Sequence, residues 1–179
     1  MKTNPNRLPA SLEEAEAAHK KGVGDGNVEG MLVYLSCLRD KEGYGGKRLW
    51  RLWRKVCEVC DLLTAEVLVT PELEKELDSL TIESVCPMMY RPDKIYTPPE
   101  APVTQAKVIK SYKEGRRAGR QFATLIFLIA LHRCEKFGPV RIRRVYREAQ
   151  ATWDSLDRGF INSEDLQQTL LEEAGIKVV

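Results

Sequence analysis

Residues 42–77 of this chain occur twice. A shift of 93 positions lays them on residues 135–170 without a gap, matching Glu42/Glu135, Gly45/Gly138, Arg48/Arg141, Arg51/Arg144, Arg54/Arg147, Asp61/Asp154, Leu73/Leu166 and Leu77/Leu170. Similar residues fill much of the rest, including Tyr44/Phe137, Leu49/Ile142, Leu52/Val145 and Trp53/Tyr146. The register also holds upstream, at Pro9/Pro102, Gly22/Gly115, Gly26/Gly119, Leu32/Leu125, Leu35/Leu128 and Leu38/Leu131. The shared positions punctuate the chain and define helix faces, so a tandem duplication explains them better than chance. The expected fold is all-α, with two helical repeats packed about a pseudo-twofold and a minimal β-bridge between them. Residues 1–8 read as a flexible arm, 9–85 as the first repeat, 86–101 as a proline-rich connector and 102–179 as the second repeat.

A chain of 179 residues with 43% hydrophobic and 30% charged residues can bury a core. The net charge of +2 is near neutral, so any nucleic-acid binding must come from a local patch. Residues 1–11 lack the apolar core of a secretory leader. The longest apolar run, 122–131, is too short to cross a bilayer and reads as a buried helix. Five cysteines, an odd number without framework spacing, suit reduced thiols. The expectation is a protein of a bacterial cytoplasm, with no membrane partner.

The residues Ser11-Leu-Glu-Glu14 form a capping box that opens a helix reaching about Lys21. Gly22, Gly24 and Gly26 are expected to break it. The second copy keeps only Gly115 and Gly119 among helix formers, so there one helix runs from Thr104 to about Glu135. The two glycines share one face and would let another backbone come close. Residues 31–38 and 122–131 are hydrophobic on nearly every side and should form the central pair of the core. Gly45-Gly46 and Gly138-Pro139 restart the chain. An amphipathic helix follows in each copy: Leu49, Leu52, Trp53, Val56, Cys60 and Leu63, then Ile142, Val145, Tyr146, Ala149, Trp153 and Leu156. Short extended pieces at 67–69 and 160–162 would pair across the pseudo-twofold. Thr70 and Ser163 read as N-caps of a last short helix.

The chemistry sits on the amphipathic helices. With Leu49 at the centre of the buried stripe, Lys47, Arg51 and Arg54 fall on the outer face, as do Arg144 and Arg147. Trp50 also points away from the core, and Arg143 takes its place in the second copy. An exposed tryptophan among cations suits contact with phosphate or an acidic protein surface; a solvated basic face, with Trp50 covered by the connector, suits it as well. The candidate partner-binding residues are therefore Lys47, Trp50, Arg51, Arg54, Arg143, Arg144 and Arg147. Met88, Met89 and Tyr90 of the connector come next. Arg48 and Arg141 flank the buried stripe and are expected in structural ion pairs with Glu42/Glu135 or Asp61/Asp154. Residues 154–165 resemble a calcium loop but lack oxygen ligands at Leu156 and Arg158. Cys57-x-x-Cys60 lies within a helix, and His132 with Cys134 lacks an orienting third group. No cofactor motif and no nucleophile–base–orienter set is found, so the expected class is a binding protein rather than an enzyme.

The stretch EKFGPVRIRRVYREAQATWDSLDRGFINSEDLQQTLLEE, residues 135–173, resembles short helical proteins of phages and mobile elements of Gram-positive gut bacteria. Their signature is an F-G-x-G-K/R-x-R turn, an arginine-rich helix, then WD…G-x-I-x-x-x-D-L. Here Pro139 replaces the second glycine, and the first copy, EGYGGKRLWRLWRK, keeps the turn but lacks the Asp-Arg-Gly. The resemblance implies a phage-type inhibitor of a host nucleic-acid enzyme, such as an anti-CRISPR protein acting on a Cas9-type (type II) effector. It assigns no residues. Direct DNA or RNA binding by the arginine faces, and a structural role in virion assembly, are the alternatives.

Overall fold

The computed structural model describes residues 8–65, 70–81, 98–100 and 102–178. Six helices follow in order: α1 (Leu12–Glu42), α2 (Gly46–Thr64), α3 (Thr70–Thr81), α4 (Gln105–Glu135), α5 (Pro139–Asp157) and α6 (Ser163–Ala174). The fold is all-α among the described residues. The bounds of α4, α5 and α6 are those of α1, α2 and α3 moved by 93 positions, at both ends of each helix.

The expected break at Gly22–Gly26 does not occur. α1 runs unbroken for 31 residues, like α4. The reason is packing. α1 and α4 lie side by side and parallel, since their contacts climb both helices in step: Gly22 at Tyr112, Gly26 at Arg116, Gly30 at Ala123 and Tyr34 at Phe127. A Cβ on Gly22 or Gly26 would collide with the carbonyl oxygen of Tyr112 or Arg116, and one on Gly115 or Gly119 with that of His19 or Val23. Each glycine weakens its helix by roughly 1 kcal/mol relative to alanine. What it permits is backbone-to-backbone contact along the whole upper pair, which a side chain would prevent.

Below the glycines the pair becomes apolar. Every residue from 31 to 38 is buried, as is every residue from 123 to 131. Tyr34 stacks on Phe127 at 5.2 Å between centroids, and Tyr44 meets Phe137 edge-on at 6.4 Å. α2 then packs chiefly on α4 rather than on α1, while α5 packs chiefly on α1. In the same crossed sense α3 lies on α4 and α6 on α1. Each half therefore supplies the cover for the other half's long helix, and one hydrophobic core serves both.

The ends of the helices follow local chemistry. Ser11 accepts from the Glu14 amide at 3.0 Å while Glu14 accepts from the Ser11 amide at 2.7 Å, as the capping box requires. α1 stops at Gly43 with φ 66°, and α4 stops at Lys136 with φ 55°, both left-handed. Pro139 opens α5. Thr104 holds the N-cap position of α4 without a side-chain bond. Asn162, not Ser163, caps α6: it holds the extended position before the first turn, and its Oδ1 accepts from the Asp165 amide at 2.7 Å. Thr70 is itself the first residue of α3. An isolated antiparallel bridge joins Pro9 to Thr104, with the Ala10 amide donating to Val103 O at 3.1 Å. It ties the heads of α1 and α4, not the pieces expected to pair: residues 160–161 form a bend with Phe160 exposed. Residues 67–69, the arm to residue 7, and the connector residues Met88, Met89 and Tyr90 lie outside the described residues. No described helix is long and apolar enough to cross a membrane.

Two substitutions test the glycine contact, and a third tests the left-handed end of α4. Gly24 meets nothing within 4 Å, so Gly24→Ala should raise stability by about 0.5–1 kcal/mol. Gly26→Ala, two residues away, should lower it by about 2 kcal/mol or more, since backbone must move. Lys136→Gly should add roughly 0.5–1 kcal/mol by relieving the left-handed turn. Chemical denaturation midpoints read all three.

Candidate interaction face of α2 and α5

α2 divides its residues cleanly. Leu49, Leu52 and Val56 are fully buried, and Trp53, Cys60 and Leu63 pack against the core from its margin. The opposite face carries Lys47, Trp50, Arg51 and Arg54, all exposed. Trp50 leaves 46% of its surface open. α5 places Arg144 and Arg147 outward in the same way, while Arg143 is half-buried and donates from Nε to Pro139 O at 3.4 Å.

The expected ion pairs of Arg48 and Arg141 form, each with the glutamate of the other half. Arg48 Nη2 lies 2.6 Å from Glu135 Oε2, and its guanidinium sits 3.9 Å from the centroid of the Tyr44 ring. Tyr44 Oη donates to the same carboxylate at 2.8 Å. Across the molecule, Arg141 Nη2 lies 2.7 Å from Glu42 Oε2 and stacks 3.7 Å from the Phe137 centroid. Each clamp fastens a short helix to the end of the other half's long one. Burial pushes the carboxyls of Glu42 and Glu135 up, but the arginines more than compensate, and both are held below the ordinary range.

The two clamps differ in what they leave over. Arg144 also binds Glu42, with Nη2 2.6 Å from Oε1, and the Glu42 side chain is only 3% exposed. This gives Arg144 a structural task that its helical position alone did not reveal. In the first half the matching Arg51 makes no such pair: among the described residues neither Arg51 nor Arg54 has an ion-pair partner. Arg51 acts on Glu135 only through space, adding to the depression of its pKa. Both arginines line an open groove of about 650 Å³ between α2 and the end of α4, with Arg48, Lys55, Glu58, Cys134 and Glu135. Four cations face two carboxylates there, and both carboxylates are taken, Glu135 by Arg48 and Glu58 by Lys55 at 2.7 Å. The groove thus presents net positive charge beside an exposed indole. Lys55, Cys134 and Glu135 were missed as site residues in the sequence, because their meeting depends on α2 crossing to α4.

The described thiols form no metal cluster. Cys57 and Cys60 are half-buried, and burial pushes the Cys60 thiol up to about 11, which keeps it protonated. His132 Nδ1 lies 3.1 Å from Phe137 O. No group of three metal-ligating side chains occurs among the described residues, and the turn after α5 contains none. Comparison with known protein families, with curated proteins and with solved structures finds no match.

The clamps make folding acid-sensitive. Glu42, Glu76, Glu135 and Asp157 all have depressed pKa values. A depressed carboxyl stabilises the fold above its unfolded value, about 4 for these groups, and that contribution is lost as pH falls through the folded value. Urea midpoints should therefore hold from pH 7 to about 5 and fall steeply below about 4. Glu42→Gln with Glu135→Gln should flatten that acid limb and lower stability at pH 7 by about 1–3 kcal/mol per site, the arginines being partly solvated. An unchanged acid limb would show that the clamps do not control it.

Proposed function

We propose that this is a non-catalytic binding protein that docks on an acidic macromolecular surface through the outer face of α2, flanked by α5. The observation that carries the reading is Trp50 beside Arg51 and Arg54: a half-exposed indole next to two guanidiniums with no ion pair among the described residues. Tryptophan and arginine dominate interface energetics because each buries a large area and keeps a directional donor. The core does not need them, since Leu49, Leu52 and Val56 already fill the buried stripe. The likeness of residues 135–173 to phage and mobile-element proteins extends the proposal: a phage-type inhibitor of a host nucleic-acid enzyme, such as a Cas9-type effector, working in the cytoplasm of a bacterial host.

The architecture is read in the same spirit as a duplicated three-helix unit about a pseudo-twofold along the α1–α4 pair. Support comes from the coincident helix bounds and from reciprocity at the shift of 93. Arg48–Glu135 has its counterpart in Arg141–Glu42, and Gly22–Tyr112 has its counterpart in Gly115–His19.

A second reading, direct binding of DNA or RNA, is favoured by the open groove, where Arg51 and Arg54, without an ion pair among the described residues, would suit phosphate. Salt separates the two. Binding to a guide-loaded Cas9-type effector, and to bare DNA and RNA, should be measured between 50 and 500 mM salt. A protein interface weakens modestly as salt rises, whereas phosphate binding falls steeply. Arg51→Glu with Arg54→Glu, and separately Trp50→Ala, should each weaken binding at least tenfold at unchanged melting temperature. Arg144→Glu is unsuited to this purpose, because it sets a carboxylate against Glu42 and should destabilise the fold. Full binding by both surface variants would place the docking face elsewhere.

A further inference from the structure

A short stripe of cations runs along the outer face of α2. Lys47, Trp50, Arg51 and Arg54 stand at i, i+3, i+4 and i+7, so they share one side of the helix. All four are exposed, and the three cations have no ion pair among the described residues. One turn further along the same side the sign changes: Glu58, paired with Lys55, and Asp61 are exposed. The cationic stretch from Lys47 to Arg54 therefore covers only about 10 Å of helix.

The second half offers an internal comparison, because there the matching arginine holds an anion. Arg144 stands 93 residues after Arg51. It binds Oε1 of Glu42 through Nε at 2.8 Å and Nη2 at 2.6 Å, while Arg141 takes Oε2 at 2.7 Å. One carboxylate thus serves two arginines, an oxygen to each. In the first half Arg48 and Tyr44 both bond Oε2 of Glu135, and Arg51 stays outside the pair. The same helical position therefore carries a guanidinium that is engaged by a carboxylate in one half and open to solvent in the other. Charge-assisted bonds of this kind are about twice as strong as neutral ones, so the open guanidinium has a strong bond left to make.

We propose, resting on the α2 docking face described above, that Arg51 and Arg54 take two side-chain carboxylates of an acidic helical segment of a partner protein, with Trp50 packing on its apolar flank. The carboxylate seen at Arg144 sets the chemistry. Spacing sets the pair. Arg51 and Arg54 are one turn apart, about 5–6 Å between Cβ atoms, which is the separation of acidic side chains at i and i+3 or i+4 on a facing helix. Length sets the class of partner. A phosphate backbone draws its affinity from a long track, about 6–10 contacts in strongly salt-dependent binders, and a strand following α2 would run from Arg54 onto Glu58 and Asp61. A protein segment can carry its carboxylates over one or two turns and end them where the stripe ends. The half-exposed indole of Trp50, 46% open, adds the apolar area that ion pairs alone lack.

The probes are a capped helical peptide with glutamates at i, i+4 and i+7 beside a leucine, its glutamine and lysine counterparts, and single-stranded oligothymidine. In the full chain labelled with ¹⁵N, the three tryptophans give three indole N–H signals, and Trp50→Phe identifies that of Trp50 by its loss. The glutamate peptide should move the Trp50 signal saturably, and the glutamine peptide should bind at least tenfold more weakly. Arg51→Ala and Arg54→Ala should each weaken the glutamate peptide at least fivefold at unchanged melting temperature. Should Arg51→Ala lower the melting temperature, Arg54→Ala carries the test. Arg51→Glu with Arg54→Glu should reverse the preference, so that the lysine peptide binds better than the glutamate one. Oligothymidine binding tighter than the glutamate peptide, and lost in the same variants, would overturn the carboxylate assignment and leave the docking face standing, as would equal binding of the glutamine peptide. No response to the glutamate peptide would also overturn the proposal, while the docking face would still be decided by Trp50→Ala against the effector, so the two fail separately.

Discussion

The close approach of α1 to α4 is the contact on which everything else in this molecule rests. Two parallel helices of 31 residues cannot bring their backbones together over several turns unless side chains are absent at the crossing. Gly22 and Gly26 on one helix, with Gly115 and Gly119 on the other, remove them. Gly30 against Ala123 ends the zone, and the aromatic pair Tyr34 and Phe127 begins the apolar one. The distance set at the glycines thereby fixes the register in which the lower halves of the helices meet. Stacking of Tyr34 on Phe127 and the edge contact of Tyr44 with Phe137 both depend on that register.

Parallel packing of the long helices has a consequence for the short ones. Each returns antiparallel along the other half's long helix, so the cation at its start meets the carboxylate at that helix's end. Arg48 finds Glu135 and Arg141 finds Glu42. These pairs gain from an aromatic floor, Tyr44 or Phe137, which orients the guanidinium and shields one of its faces. The clamps add directional ties to an interface otherwise held by non-directional apolar burial.

Much of this was legible in the residues. The shift of 93 anticipated matching helix bounds, and the continuous apolar runs marked the central pair. The stripe beginning at Leu49 identified which face of α2 is buried. What could not be read locally was whatever depends on a distant backbone. Three glycines within five residues look like a helix break when only propensity is weighed; the tertiary contact with α4 overrides it. The position of Arg144 on the helix marked it as solvent-facing, which it is, yet the acceptor waiting at Glu42 lies 102 positions away. The same holds for the groove, since Cys134 and Lys55 become neighbours only through the crossing of α2 onto α4. Asn162 in place of Ser163 as the cap is a smaller matter of one residue, decided by which side chain faces the Asp165 amide.

The two sets of three helices share a frame but use their polar residues differently. In the second half, Arg144 and Lys41 form ion pairs with Glu42 and Glu148, and Arg143 bonds Pro139 O, while Arg147 stays outward as Arg54 does. In the first half the position of Glu148 is Lys55 and that of Lys41 is Cys134. The exchange removes an acceptor and supplies a cation, Arg51 is left outside the clamp, and Trp50 stands where Arg143 would have folded back. On the opposite side the pattern reverses: the first half is closed by Val28, Met31 and Cys60, and the second half carries a polar cleft around Trp153. The residues of the clamp and of the glycine contact recur at the shift of 93, and those that differ, Trp50 against Arg143 and Lys55 against Glu148, lie outside both.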